Sequence, residues 1–203
     1  CSTTPFCLAS WSGGNAMINS RSLGAGAGTQ TAALAFGGYN PTKLSATEEY
    51  NGTSWSPGGA MSTARYGLAG AGTQNAALAI SGYVNDNVAN TEEYNGTSWS
   101  PGGALTIATN GLAGAGTQNA ALAFGGGTPS TTSATYEYDG SAWSGGGALI
   151  TARIRLAGAG TQNAGLAIGG ENPAGVATEE YNGSSWATSG NLGVASSALA
   201  GAG

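Results

Sequence analysis

Histidine is absent from this chain of 203 residues, and charge is scarce, with five basic and ten acidic side chains. The first absence removes the commonest general acid–base group and metal ligand. The second leaves a net charge of −5 and no basic face, which argues against a nucleic-acid partner. No apolar run reaches the length of a membrane-spanning helix. Cysteine is limited to Cys1 and Cys7, ahead of the main body of the chain. The pair fits a disulfide that closes a small N-terminal loop or joins chains in an oxidising compartment, and equally two free thiols. A Cys-Ser start also matches a mature bacterial lipoprotein lipidated on its first residue, and a start without Met is expected of a processed chain or a segment of a longer one.

What the chain has in excess is glycine, 38 residues, each of which raises the entropic cost of folding. Such a sequence needs extensive backbone pairing or no fold at all. Disorder fits badly, because 40% of the residues are hydrophobic and five are Trp. Collagen is excluded, since glycine does not recur at every third position.

The glycines belong to an internal repeat. The triplet "GTQ" ends on Gln30, Gln74, Gln118 and Gln162, three steps of 44, and tryptophan recurs at 11, 55, 99, 143 and 186. Units span residues 23–66, 67–110, 111–154 and 155–197, with a partial unit at 1–22 and the start of another at 198–203. Periods of this size announce repeat architectures. Within a unit, "LAGAG", "AALAF", "ATEEY" and "TSW" are runs of strand length between turn residues, so four strands per unit are expected. In "AALAF" the large residues alternate, for example Leu34 and Phe36, and should share one face with alanines on the other. The bare run "AGAGTQ" lets another backbone approach closely.

The phrase "EEYNGTSW", at 48–55 and again at 92–99, carries three candidate chemistries. Asn-Gly predicts a two-residue type I′ hairpin at Asn51, Asn95 and Asn182, with Asp139-Gly140 as the accepted substitute. The same asparagines form N-glycosylation sequons, an alternative for a host that performs that modification. The paired acids at 48–49, 92–93 and 179–180 split across two strand faces, so they are expected to be solvated charges that discourage sheet aggregation. Arg21, Arg65 and Arg153 share one register, in which position 109 holds Thr109 instead. The stretch after the double glycine varies freely between units, which places it at the surface as the carrier of any specificity. Candidate ligand-binding residues are therefore Tyr39, Asn40, Tyr66, Tyr83, Asn85, Asp86, Thr128 and Asn172. The segment around Asp86 lacks the acidic spacing of a calcium loop, and neither a metal nor a cofactor is expected.

Gly37-Gly38, Tyr50, Trp55 and Arg65, with their counterparts Gly125-Gly126, Tyr138, Trp143 and Gly169-Gly170, Tyr181, Trp186, resemble the kelch repeat. The wording "GAGTQ…AALAFGG…ATEEYNGTSW" is also similar to repeats in predicted structural and tail-associated proteins of marine phages. These resemblances imply an all-β, kelch-like β-propeller of about five blades, the fifth combining "TTPF…W" from the N-terminus with "ALAGAG" from the C-terminus. A β-solenoid or an open repeat array is the alternative fold. They further imply a non-enzymatic structural or adhesive protein at an extracellular or virion surface, self-associating into a fibre, filament or tail component. A carbohydrate-binding, lectin-like module recognising a cell-surface glycan is the alternative function. The copper oxidases of the kelch fold need imidazole ligands, which this chain cannot supply.

Overall fold

The computed structural model describes residues 15–171 and 175–198. The first unit forms β1 (Ala25–Thr29), β2 (Ala32–Phe36), β3 (Thr47–Tyr50) and β4 (Trp55–Gly58). The second forms β5 (Ala69–Thr73), β6 (Ala76–Tyr83), β7 (Asn87–Tyr94) and β8 (Trp99–Gly102). The third forms β9 (Ala113–Thr117), β10 (Ala120–Phe124), a small hairpin of β11 (Gly127–Thr128) with β12 (Ser130–Thr131), then β13 (Thr135–Tyr138) and β14 (Trp143–Gly145). The fourth forms β15 (Ala157–Thr161), β16 (Ala164–Ile168), β17 (Thr178–Tyr181) and β18 (Trp186–Thr188). Each unit thus makes one antiparallel four-stranded sheet, in the orders β1-β2-β3-β4, β5-β6-β7-β8, β9-β10-β13-β14 and β15-β16-β17-β18. No helix occurs among the described residues, so none there is long and apolar enough to cross a membrane.

The near-absence of side chains in "AGAGT" dictates how the sheets meet. A Cβ added at Gly70 would lie 2.4 Å from the Gly26 carbonyl oxygen, one at Gly114 2.6 Å from that of Gly70, and one at Gly158 2.5 Å from that of Gly114. Strands β1, β5, β9 and β15 therefore stand side by side at a distance only glycine permits. Together they wall a cavity of about 350 Å³ lined by their glycines and alanines. Just ahead of these strands a backbone ladder ties successive units: the N–H groups of Gly67, Gly111, Arg155 and Ala198 donate to the carbonyls of Leu23, Gly67, Gly111 and Arg155 at 2.7–2.8 Å. The four sheets in series are consistent with a propeller-like all-β fold. Among the described residues no strand pairs the fourth sheet with the first.

The alternation in "AALAF" fills the spaces between sheets. Leu78 and Ile80 pack with Ala121, Ala123, Tyr138 and Trp143 of the next sheet, and Leu122 and Phe124 with Ala167, Tyr181 and Trp186. Leu34 and Phe36 meet Ala77, Ala79 and Tyr94 in the same way. The large face of one sheet thus covers the alanine face of its successor. Alanine and leucine are both buried because neither face of an inner sheet is left to water. The aromatic phrase supplies the area that Ala and Gly cannot: Trp99, Trp143 and Trp186 each pack against the tyrosine of their own sheet at 4.8–4.9 Å between ring centroids.

Two expectations drawn from "EEYNGTSW" are corrected. The turn is a four-residue loop, since Tyr50 pairs with Trp55 and the Asn51 N–H donates to Ser54 O at 3.2 Å. Only the glycine takes positive φ, 88° at Gly52, and the asparagine does not. The reason is its side chain: Asn51 Oδ1 accepts the N–H groups of Thr53 and Ser54 at 3.0 and 2.9 Å, fixing the loop without a left-handed asparagine. The second correction concerns the acids. Glu48, Glu92 and Glu179 are 1–3% exposed, so they are not solvated charges. Each faces a buried arginine contributed 26 or 27 positions upstream, as the next section describes.

Candidate functional site on the variable-loop face

Two kinds of polar side chain compete for a functional role, those inside the framework and those on the variable loops. The interior set is spent on joining the repeats. Arg21 is paired with Glu48, Arg65 stands 3.2 Å from Glu92, and Arg153 donates to Glu179 at 3.0 Å. Glu48 also accepts the N–H groups of Ile18 and Asn19 at 2.7 and 3.0 Å. Burial works to raise the Glu48 carboxyl, but the Ile18 N–H, Arg21 and Asn19 outweigh it and hold the group below its ordinary value. Burial likewise pulls Arg65 and Arg153 below the usual guanidinium value, opposed by Glu92 and Glu179. At the junction of the second and third units both members change together, to Thr109 and Tyr136, and both are buried. Thr109 Oγ1 donates to Gly127 O at 3.2 Å, while the Tyr136 ring joins the apolar core.

Between sheets, three further bonds repeat. Gln74, Gln118 and Gln162 donate back to a pair of carbonyls on the preceding sheet, for example Ala33 and Tyr50 at 3.0 and 2.6 Å. Trp99, Trp143 and Trp186 donate through Nε1 to Thr47, Thr91 and Thr135 at 2.9–3.0 Å. The second acids, Glu49, Glu93 and Glu137, accept the hydroxyls of Tyr94, Tyr138 and Tyr181 of the next sheet at 2.5–2.6 Å. Burial first, and then the carboxylate partner, push Tyr94 and Tyr138 up to about 12 and raise Tyr181 as well. None of these groups is free for chemistry on a ligand, and all were invisible as pairs in a linear reading.

The variable loops lie at the ladder end of the inner strands. Four equivalent backbone bridges join Ser22 to Tyr39, Tyr66 to Tyr83, Asn110 to Gly127 and Ile154 to Glu171. These positions hold the expected loop tyrosines and bring them together. The rings of Tyr39 and Tyr66 meet edge to face at 5.5 Å, and those of Tyr66 and Tyr83 lie 5.3 Å apart. Tyr39 is 44% exposed, while Tyr66 and Tyr83 are half-buried. Lys43 bridges the first two loops by donating to Val84 O and to Asn85 Oδ1. Asn40 donates to Ser20 O at 2.9 Å, and Asp86 accepts the Asn87 N–H at 2.8 Å. Asn87 in turn accepts from Asn110 and donates to Gly127 O at 3.0 Å, so the second loop is tied to the third.

Other candidates are not part of this cluster. Thr128 lies in the β11–β12 hairpin of the third loop, and Asn172, Cys1 and Cys7 lie outside the described residues. Asn51, Asn95 and Asn182 are exposed on the four-residue loops, with their side-chain oxygens holding the turn. At the fourth loop bridge, Arg155 and Glu171 form an exposed ion pair at 3.1 Å, joined by Ser197 at 2.9 Å. Among the described residues no group of three His, Cys, Asp or Glu is placed to hold a metal ion. A scan against protein-family models finds no match to the chain, and a search of curated proteins finds none either.

Proposed function

We propose that this chain is a kelch-like β-propeller of about five blades that works without catalysis, as a structural or adhesive module of an extracellular or virion-associated assembly. Its working surface is the variable-loop face. The observation that carries this reading is the division between a copied interior and a varied rim. Gln, Trp, Tyr and Glu repeat the same inter-sheet bonds at each junction, whereas equivalent loop positions hold tyrosine, glycine or glutamate. A framework copied so closely under freely changing loops suits presentation rather than turnover.

Closure by a fifth blade is supported from both ends of the described chain. Residues 15–22 pack on the first sheet as 59–66 pack on the second: Ile18 donates to Glu48 at 2.7 Å where Ser62 donates to Glu92 at 2.7 Å. Beyond the fourth sheet the register continues, with Gly170 donating to Ser196 O as Gly126 does to Arg153 O, and Ala198 extending the inter-unit ladder. The two flanking segments thus continue the register of the repeat, one ahead of the first sheet and the other beyond the fourth.

The test replaces residues 39–45, 84–86, 127–133 and 171–176 by Gly/Ser segments of equal length and measures adhesion of labelled protein to bacterial cells and to virion fractions. The reading predicts that the natural protein adheres and that the loop-replaced one does not, at a closely similar melting temperature. Failure of the natural protein to adhere, or adhesion indifferent to the replacement, contradicts it.

A further inference from the structure

We infer that the tyrosine row on the loop face is a carbohydrate subsite, with the exposed ring of Tyr39 as the stacking platform for a neutral pyranose. This rests on the loop-presenting role proposed above and names its ligand class.

The fold does not ask for these tyrosines. The position of Tyr66 is filled by Ser22, Asn110 and Ile154 in the other units, and that of Tyr39 and Tyr83 by Gly127 and Glu171, with the same backbone bridge in every case. Three aromatic rings in contact are thus an addition to the framework. Their arrangement leaves Tyr39 exposed and supports it edge-on by Tyr66, which leans on Tyr83. A platform ordered before binding has little freedom left to lose when a ligand arrives.

The polar groups on the two loops that Lys43 joins have unused capacity of the right kind. Asn40 spends its amide nitrogen on Ser20, leaving its carbonyl oxygen to accept. Asn85 has its oxygen held by Lys43, leaving its amide to donate. Asp86 spends one oxygen on the Asn87 N–H, leaving the other. All three residues are exposed. An aromatic face beside separate donors and acceptors matches a sugar ring, which presents an apolar C–H face and a rim of hydroxyls. Lys43 is already engaged and Asp86 adds negative charge, so the neutral sugars are favoured over acidic ones.

The experiment is an array of neutral and acidic oligosaccharides followed by calorimetric titration with the best neutral binder. Tyr39→Ala is expected to weaken binding at least about tenfold without changing the melting temperature, and Tyr39→Trp to preserve it. A blank array, binding confined to acidic glycans, or affinity unchanged in Tyr39→Ala overturns the inference. Periodate oxidation of the target cells separates the two claims: adhesion that survives it rejects the sugar and keeps the loop-presenting role, whereas a natural protein that never adheres rejects the role itself.

Discussion

The joint replacement of Arg and Glu by Thr109 and Tyr136, between the second and third units, can be reproduced deliberately between the third and fourth. Arg153 is fully buried and Glu179 is 1% exposed, at 3.0 Å. Glu179 also accepts the N–H groups of Ile150 and Thr151 at 2.7 and 3.3 Å, so it holds the lead-in to the inner strand as well as the arginine. Removing one partner strands a buried charge, which costs about 3–5 kcal/mol. At about 2–4 °C per kcal/mol for a chain of this size, Arg153→Thr or Glu179→Tyr alone should lower the melting temperature by roughly 6–20 °C. The double variant leaves no unpaired charge and adopts the solution already stable at the preceding junction. Its loss should be well below the sum of the singles, with a coupling energy of about 1–3 kcal/mol in a denaturant-based double-mutant cycle. Losses that simply add would refute the claim that the two positions form one interacting pair.

Three other outcomes follow from the packing and the titration of the framework. Gly114→Ala should destabilise by about 1–3 kcal/mol, because its Cβ would press within 2.6 Å of the Gly70 carbonyl; Gly145→Ala, with nothing within 4 Å, should be neutral or stabilising by up to about 1 kcal/mol in the same thermal melts. Tyr94 and Tyr138 ionise near 12 when folded and near 10 when unfolded, so their contribution is intact below pH 10 and is lost between pH 10 and 12; tyrosinate absorbance of the folded protein rising wholly near pH 10 would contradict this. Glu48 is held below its ordinary value when folded, so its contribution is present above the unfolded carboxyl pKa and lost as pH falls through the folded one; Glu48→Gln should flatten the acid limb of the stability profile.

The strands were legible because alternation and glycine runs are local signals. "AALAF" and "AGAGT" declare their faces and their neighbours within a few residues. The pairs that join repeats were not, because each depends on a residue 24 to 52 positions away. One signal was present all the same: Thr109 and Tyr136 break the pattern at the same junction between units, which is what a paired contact between those positions requires. The Asn-Gly phrase misled for a different reason. Its backbone signal favours a two-residue turn, and the outcome was decided by the asparagine side chain capping a longer loop. On the loop face the candidate tyrosines could be named singly, but the contact between Tyr66 and Tyr83, 17 residues apart, follows only from the bridge between them.

Closure of the repeats into a ring is tested most directly at Gly26. Gly70, its equivalent in the second unit, lies against the Gly26 carbonyl, and a Cβ there would come within 2.4 Å of it. A Cβ at Gly26 meets only the Leu34 carbonyl of its own sheet, at 3.3 Å, among the described residues. If a fifth unit closes the ring, its inner strand occupies the place against Gly26 that Gly26 itself occupies against Gly70. Thermal melts of Gly26→Ala and Gly70→Ala should then show closely similar losses, each about 1–3 kcal/mol. A Gly26→Ala variant as stable as the natural protein, beside a destabilised Gly70→Ala, would mean that the array stays open.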